Sequence, residues 1–148
     1  MPALIKITYL TMLLSLVAFP GAVLANPVGQ VVSISQNAFV ERNGQRRPLA
    51  QGASVSIGDA ITTDASGQVQ LLFRDETRIA IGVNSHLVVE SILFDSANTA
   101  SEFTVSAVEG AFRFLSGNSA KSAYSLRTPN GTMGIRGTEF DFTVVPLN

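Results

Sequence analysis

Few side chains in this 148-residue chain could take part in chemistry, and its one histidine sets the first limit. A nucleophile–histidine mechanism needs an imidazole within hydrogen-bond reach of a hydroxyl or thiol. His86 directly follows Ser85, but no Gly-x-Ser-x-Gly frames that serine. His86 therefore reads as an edge or surface residue at the start of a strand. The chain has no cysteine. That removes a disulfide framework, a thiolate metal site and a cysteine nucleophile together. Carboxylates are the remaining acid–base groups: Asp75-Glu76, Glu139 with Asp141, and Asp59 with Asp64. Such pairs can exchange a proton or hold a hard cation. Here no Asp-x-Asp-x-Asp-Gly loop is present. Glu139 and Asp141 stand two apart, on one solvated strand face. Asp59 and Asp64 lie at turn signals, where an Asp side chain caps backbone amides. These residues assign no catalytic, cofactor-binding or metal-binding role, and the expectation is a non-enzymatic chain with no cofactor.

Two features could hold an anion. Gly131 to Thr138 (GTMGIRGT) offers successive backbone amides beside Arg136. A nest of amides can cradle an anion, but no helix follows to add its dipole. The alternative is a tight corner in which Arg136 pairs with a carboxylate. The second feature is Arg42, Arg46 and Arg47, which surround Asn43-Gly44 and form the only local concentration of charge. A solvated hairpin tip is one reading. Docking to an anionic polymer or envelope partner is the other. Formal net charge of -1 excludes a chain built to coat nucleic acid.

These residues need elements to position them, and the first 25 do not supply any. Lys6, the apolar run Ile7 to Phe19, a break at Pro20-Gly21 and Val23-Leu24-Ala25 read as a secretory signal; the alternative is an uncleaved anchor over residues 7–25, which the Pro20-Gly21 break disfavours. Cleavage is expected between Ala25 and Asn26. Removing 1–25 leaves 123 residues, and loss of Lys6 leaves nine basic against eleven acidic side chains, a charge of -2. The exported chain would then be periplasmic or secreted, with no membrane span.

After residue 28 the hydrophobic period becomes two. Phe140, Phe142 and Val144 alternate with Glu139, Asp141 and Thr143; Val69, Leu71 and Phe73 alternate with Gln68, Gln70 and Arg74. Phe112 and Phe114 flank Arg113, and these four phenylalanines are expected to pack together. On that reading Phe142→Ala costs about 3–5 kcal/mol. His86 to Phe94 is more continuously apolar, which suggests a strand covered on both faces. Asn43-Gly44 predicts a type I′ hairpin turn. Turn signals recur every ~8–14 residues. The fold class is all-β: one domain of short antiparallel or solenoid-like strands over 26–148, a β-roll or sandwich, preceded by a signal-peptide helix over 1–25.

The turns also carry a resemblance. In order they read Gly58-Asp59, Thr62-Thr63, Asp75-Glu76-Thr77, Gly82-Val83-Asn84-Ser85, Thr128-Pro129 and Arg136-Gly137-Thr138-Glu139-Phe140. Over residues 28–145 this resembles the periplasmic domain of the FecR family. The resemblance implies a compact stack of short strands in an envelope setting. Asp75-Glu76-Thr77 replaces that family's more usual Asp-Gly-Ser/Thr, so the turn is expected to avoid a left-handed residue. The family's cytoplasmic region and membrane span are not read in this sequence, so iron-transport signalling and sigma-factor control are not implied. The functional expectation is an exported binding or interaction module for an envelope protein or cell-wall polymer. A structural role, acting by strand-edge pairing, is the alternative.

Overall fold

A computed structural model describes residues 26–148. The expected signal segment lies outside the described residues. The strands are β1 (Gly29–Ser35), β2 (Ala38–Arg42), β3 (Gln45–Pro48), β4 (Ser54–Val55), β5 (Ala60–Thr63), β6 (Gln68–Phe73), β7 (Arg78–Ile81), β8 (His86–Phe94), β9 (Ala100–Leu115), β10 (Tyr124–Thr128), β11 (Gly131–Gly134) and β12 (Glu139–Val144). The helical content of the described residues is one 3-10 turn, Lys121–Ala123. The fold is all-β, as the alternation requires.

Sequence-adjacent strands join into longer ones. β1 with β2, β5 with β6, and β7 with β8 each run as one path, and every path lies antiparallel to the next. β7 and β8 together flank β9 along its length. Each path bends at the same level: at Gln36-Asn37, at Asp64–Gly67, at Gly82–Ser85 and near Gly110. The sheet is thus creased along one line into a curled half-barrel, with one half on each side of the crease.

The bend can be measured within one strand. Phe103 and Phe114, eleven residues apart, would lie roughly 36 Å apart on a straight strand. Their ring centroids are 6.2 Å apart. Gly110 permits the turn: its φ is +109°, and a Cβ there would meet Ser85 Oγ at 2.0 Å.

Polar side chains stitch the crease. Asp64 Oδ1 accepts from the Ser66 and Gly67 amides, each at 2.9 Å. The Asn84 amide donates to Asp64 O at 2.9 Å. Thr63 Oγ1 donates to Gly82 O at 2.6 Å and accepts from the Ser85 amide at 3.0 Å. Ser85 Oγ in turn accepts from the Ala111 amide at 3.1 Å. Residues that read as turn punctuation in the sequence thus hold all the paths to one fold line.

Folding along that line brings two apolar faces together. Val69, Leu71, Phe73, Ile79, Ile81, Phe112 and Phe114 come from one half; Ile61, Leu87, Val89, Phe103, Val105, Tyr124 and Leu126 come from the other. Phe103, fully buried, meets Phe73 edge-on at 4.9 Å. Burial of one such side chain contributes roughly 1.5–3 kcal/mol.

The four expected phenylalanines do pack as a block. Phe112 stacks on Phe142 at 5.2 Å and Phe114 on Phe140 at 5.4 Å. Phe140 and Phe142 are only half-buried, however, because β12 borders β9 alone. Phe142→Ala should therefore cost roughly half of a full core truncation, about 2 kcal/mol.

Two other expectations change. β8 is covered on one face, not both. A register shift between Val89 and Ser91 turns Val89 and Ile92 to the same core, which imitates a continuous apolar run. The turn at Asp75-Glu76-Thr77 does use a left-handed residue: Glu76 has φ of +68°. The tight return from Phe73 to Thr77, closed by Phe73 N to Thr77 O at 2.9 Å, demands it. Asn43-Gly44 is the type I′ turn the sequence predicts, with φ of +52° and +74°.

Candidate functional site

Two of the carboxylates named from the sequence are buried, each at 1% exposure. Asp59 sits just before β5. Its Oδ2 accepts from the Ser56 amide at 2.9 Å. Arg42, at the end of β2, reaches over it in a two-pronged pair: Nε to Oδ1 at 2.6 Å and Nη2 to Oδ2 at 2.7 Å. The hydrogen bond to Asp59 raises the Arg42 pKa above its ordinary value. The backbone around Asp59 is tied to β8, with Gly58 N to Val89 O at 2.7 Å and Val89 N to Asp59 O at 2.9 Å. The pair clamps the hairpin to the rest of the sheet.

Asp75 pairs with no cation among the described residues. Its Oδ1 accepts from the Thr77 amide at 3.0 Å; its Oδ2 accepts from Ser119 Oγ at 2.6 Å and from Tyr124 OH at 2.9 Å. Thr77 Oγ1 and Tyr124 OH are 2.9 Å apart, and both accept from the Gly117 amide. Ser119 Oγ also accepts from the Ala100 amide at 2.7 Å. Burial pushes the Tyr124 phenol up, with the Asp75 hydrogen bond adding to the shift. The network ties three loops, before β7, β9 and β10, to one carboxylate. No buried side-chain polar atom among the described residues lacks a partner.

The arginines of the hairpin do not form one cluster. Arg42 is committed to Asp59. Arg46 and Arg47 are adjacent on β3, so they point to opposite faces. Arg46 lies over the Phe39 ring at 4.2 Å, and Arg47 is exposed. Arg136 is exposed and makes no ion pair among the described residues, so the expected carboxylate partner is absent there. The Gly131–Gly134 run is an extended strand paired with β10, not an amide nest. His86 is half-buried, opposite Thr62 and Glu109 on neighbouring strands. The Ser85 hydroxyl beside it donates to Val83 O at 2.8 Å. Among the described residues no group of three His, Cys, Asp or Glu could hold a metal ion.

What the sequence reading missed is the outer face of the β1–β6–β7–β9–β12 half. Ser33, Gln70, Ala80, Arg113 and Asp141 lie opposite one another in one row across five strands. They border an open trough of about 680 Å³ whose floor is made small by Ala80, Gly82 and Ala111. Arg113 pairs with Asp141 through Nε at 2.7 Å and Nη2 at 2.9 Å. That bond raises the Arg113 pKa and lowers that of Asp141. Glu139 and Asp141 are exposed on the face opposite the phenylalanines, as their spacing requires. The one signal for the trough was the alternation of Gln, Ala and Arg at outward positions, which is legible only once strand order is known.

No curated protein and no solved structure matches the chain. A family model does, that of FecR protein, over residues 59–145. The matched segment opens at buried Asp59, spans the crease and the Asp75 network, and closes just after β12. Those are the features that hold this fold together, and the chain belongs to the FecR family.

Proposed function

We propose that the chain is exported and acts in the cell envelope as a non-enzymatic interaction module, in a signalling-related role. Family membership supports the signalling-related envelope role. No helix among the described residues is long and apolar enough to cross a membrane. The observation that carries the interaction reading is the trough: open, of mixed polar and apolar lining, with Ser33, Gln70, Arg113 and Asp141 along it over a floor of small residues. Arg113 is held by Asp141 at 2.7 Å and lies 3.7 Å from Glu139, so it is not a free cation for an anionic ligand. The face therefore suits an uncharged, hydroxyl-rich partner such as a glycan strand of the cell wall better than an anionic one. Asp59 and Asp75, the buried carboxylates, are engaged in holding loops, which supports a binding rather than a catalytic role.

The test fills the trough. Ala80→Arg, on its floor, should leave thermal unfolding nearly unchanged and abolish co-sedimentation with purified cell-wall material. Retention equal to that of the unaltered protein would remove the trough from consideration. Export is checked separately: the mass of the chain recovered from the periplasm should begin at Asn26. A second reading, assembly through a strand edge, is favoured by β12, which borders β9 and no other strand.

A further inference from the structure

We propose that β12 pairs with β12 of a second copy of this chain, antiparallel and centred on Phe142, so that one half-sheet continues across two molecules. This gives the assembly reading its partner and does not depend on the trough.

Among the described residues four strands have a single neighbour: β3, β4, β11 and β12. An open edge invites pairing, and proteins blunt it with short strands, charged residues (lysine above all), proline or glycine. Three of the four are blunted. β3 carries Arg46, Arg47 and Pro48; β4 has two residues; β11 begins and ends in glycine. β12 has six residues and no proline, glycine or basic side chain; its charges are the exposed Glu139 and Asp141, which restrict the register rather than close the edge.

Its hydrogen-bonding groups are correctly placed. The Ser116 amide donates to Thr138 O at 2.8 Å. Backbone groups alternate sides along a strand, so Phe140, Phe142 and Val144 face β9. The amides and carbonyls of Glu139, Asp141 and Thr143 then point to the open edge. Phe140 and Phe142 are half-buried there, and Val145 just beyond is 71% exposed.

Charge and strand length select the register: a twofold centred on Thr143 would leave only Phe142 to Val144 paired within β12. A twofold centred on Phe140 would set Glu139 against the second copy's Asp141. One centred on Asp141 would set that carboxylate against itself. Like charges directly opposite are destabilising. Centring on Phe142 sets Asp141 against Thr143, and Phe140 against Val144, with Phe142 meeting itself. Each of these pairs shares one face. Edge-facing Asp141 and Thr143 fall opposite one another, as a hydrogen-bonded antiparallel pair requires.

Sedimentation equilibrium on the purified protein should show a reversible dimer. Thr143→Pro removes an amide that faces the open edge rather than β9. It should raise the concentration at half-dimerisation at least ten-fold, with thermal unfolding little changed. Because the chain has no cysteine, the register is read independently. A mixture of Asp141→Cys and Thr143→Cys proteins should form a disulfide-linked pair under mild oxidation, and neither should do so alone. A monomer at all concentrations, a dimer indifferent to Thr143→Pro, or self-linking of Asp141→Cys would each overturn the proposal.

Discussion

Asp59 and Asp75 are equally buried and solve the same electrostatic problem in different ways. An ionised carboxylate removed from water must be compensated or it neutralises. Asp59 lies near the sheet margin, where Arg42 can lie over it with its own side chain still 30% exposed. The cation thus keeps part of its hydration while it serves the anion. Asp75 lies among three loops behind β9, and hydroxyl and amide donors converge on it instead. A guanidinium there would carry its own desolvation cost, several kcal/mol per ion. The comparison teaches that location decides the partner at equal burial: beside a hairpin a long cation can reach over the carboxylate, and among converging loops neutral donors fixed by the backbone serve instead.

Asp75→Ala should have the largest effect. It removes the acceptor that Ser119 and Tyr124 share and unties three loops, at about 3–5 kcal/mol in denaturant unfolding. Arg42→Ala comes next, at about 2–4 kcal/mol, because it leaves Asp59 buried with one amide for company. Asp59→Ala should cost less, about 1–2 kcal/mol, since Arg42 can swing into water. A symmetric loss at 42 and 59 would contradict the account of the margin. If Asp75→Ala cost no more than Asp59→Ala, the distinction between the two sites would fail.

The pH dependence sharpens the same contrast. Tyr124, raised chiefly by burial, ionises more readily in the unfolded chain. The stability it contributes is full below the ordinary phenol pKa of about 10. It is lost as pH rises through the folded value. Absorbance at 295 nm should show the Tyr124 phenolate appearing late and together with unfolding, and Asp75→Asn should bring it forward. Asp64 and Asp141 behave oppositely. Turn hydrogen bonds, first from the Ser66 amide, lower Asp64, and Arg113 lowers Asp141. Their contribution is present above the usual carboxylate pKa of about 3.9 and disappears as pH falls through the lowered values. Asp64→Asn should make the acid decline of the melting temperature shallower.

The smallest effect belongs to Glu76, beside Asp75 in its turn. A left-handed non-glycine residue costs about 1–2 kcal/mol, and glycine's greater unfolded-state freedom offsets part of any relief. Glu76→Gly should therefore stabilise by about 0.5–1 kcal/mol. A loss instead would mean that the Asn118–Glu76 hydrogen bond, 3.2 Å long, outweighs the strain.

Strand identity was legible because alternation is a local property. Val69, Leu71 and Phe73, and Phe140 with Phe142, point inward as their spacing demands. The type I′ turn was equally legible, since Asn43-Gly44 states its own backbone angles. Pairing between distant segments was not. Nothing in the spacing of Asp59 shows that Arg42 would be drawn from the hairpin cluster to meet it. Nothing near Asp75 names Ser119 or Tyr124. The apolar run in β8 misled for a related reason: a bulge changes which residues share a face, and a bulge leaves no mark in composition. The trough escaped notice because it is built from one residue per strand.

The bent sixteen-residue β9 also has a consequence for the order of folding. It borders β7 and β8 along one side and β10 and β12 along the other. In the four-path meander up to residue 115 each path pairs with the next one along the chain. The segment from Tyr124 onward has no neighbour of its own except β9 and the short β10–β11 hairpin. It can dock only after β9 has formed and creased. Residues 124–144 should thus be the last to gain amide protection during refolding and the first to lose it under native-state exchange. A nascent chain would complete its meander before the final strand has a template to join.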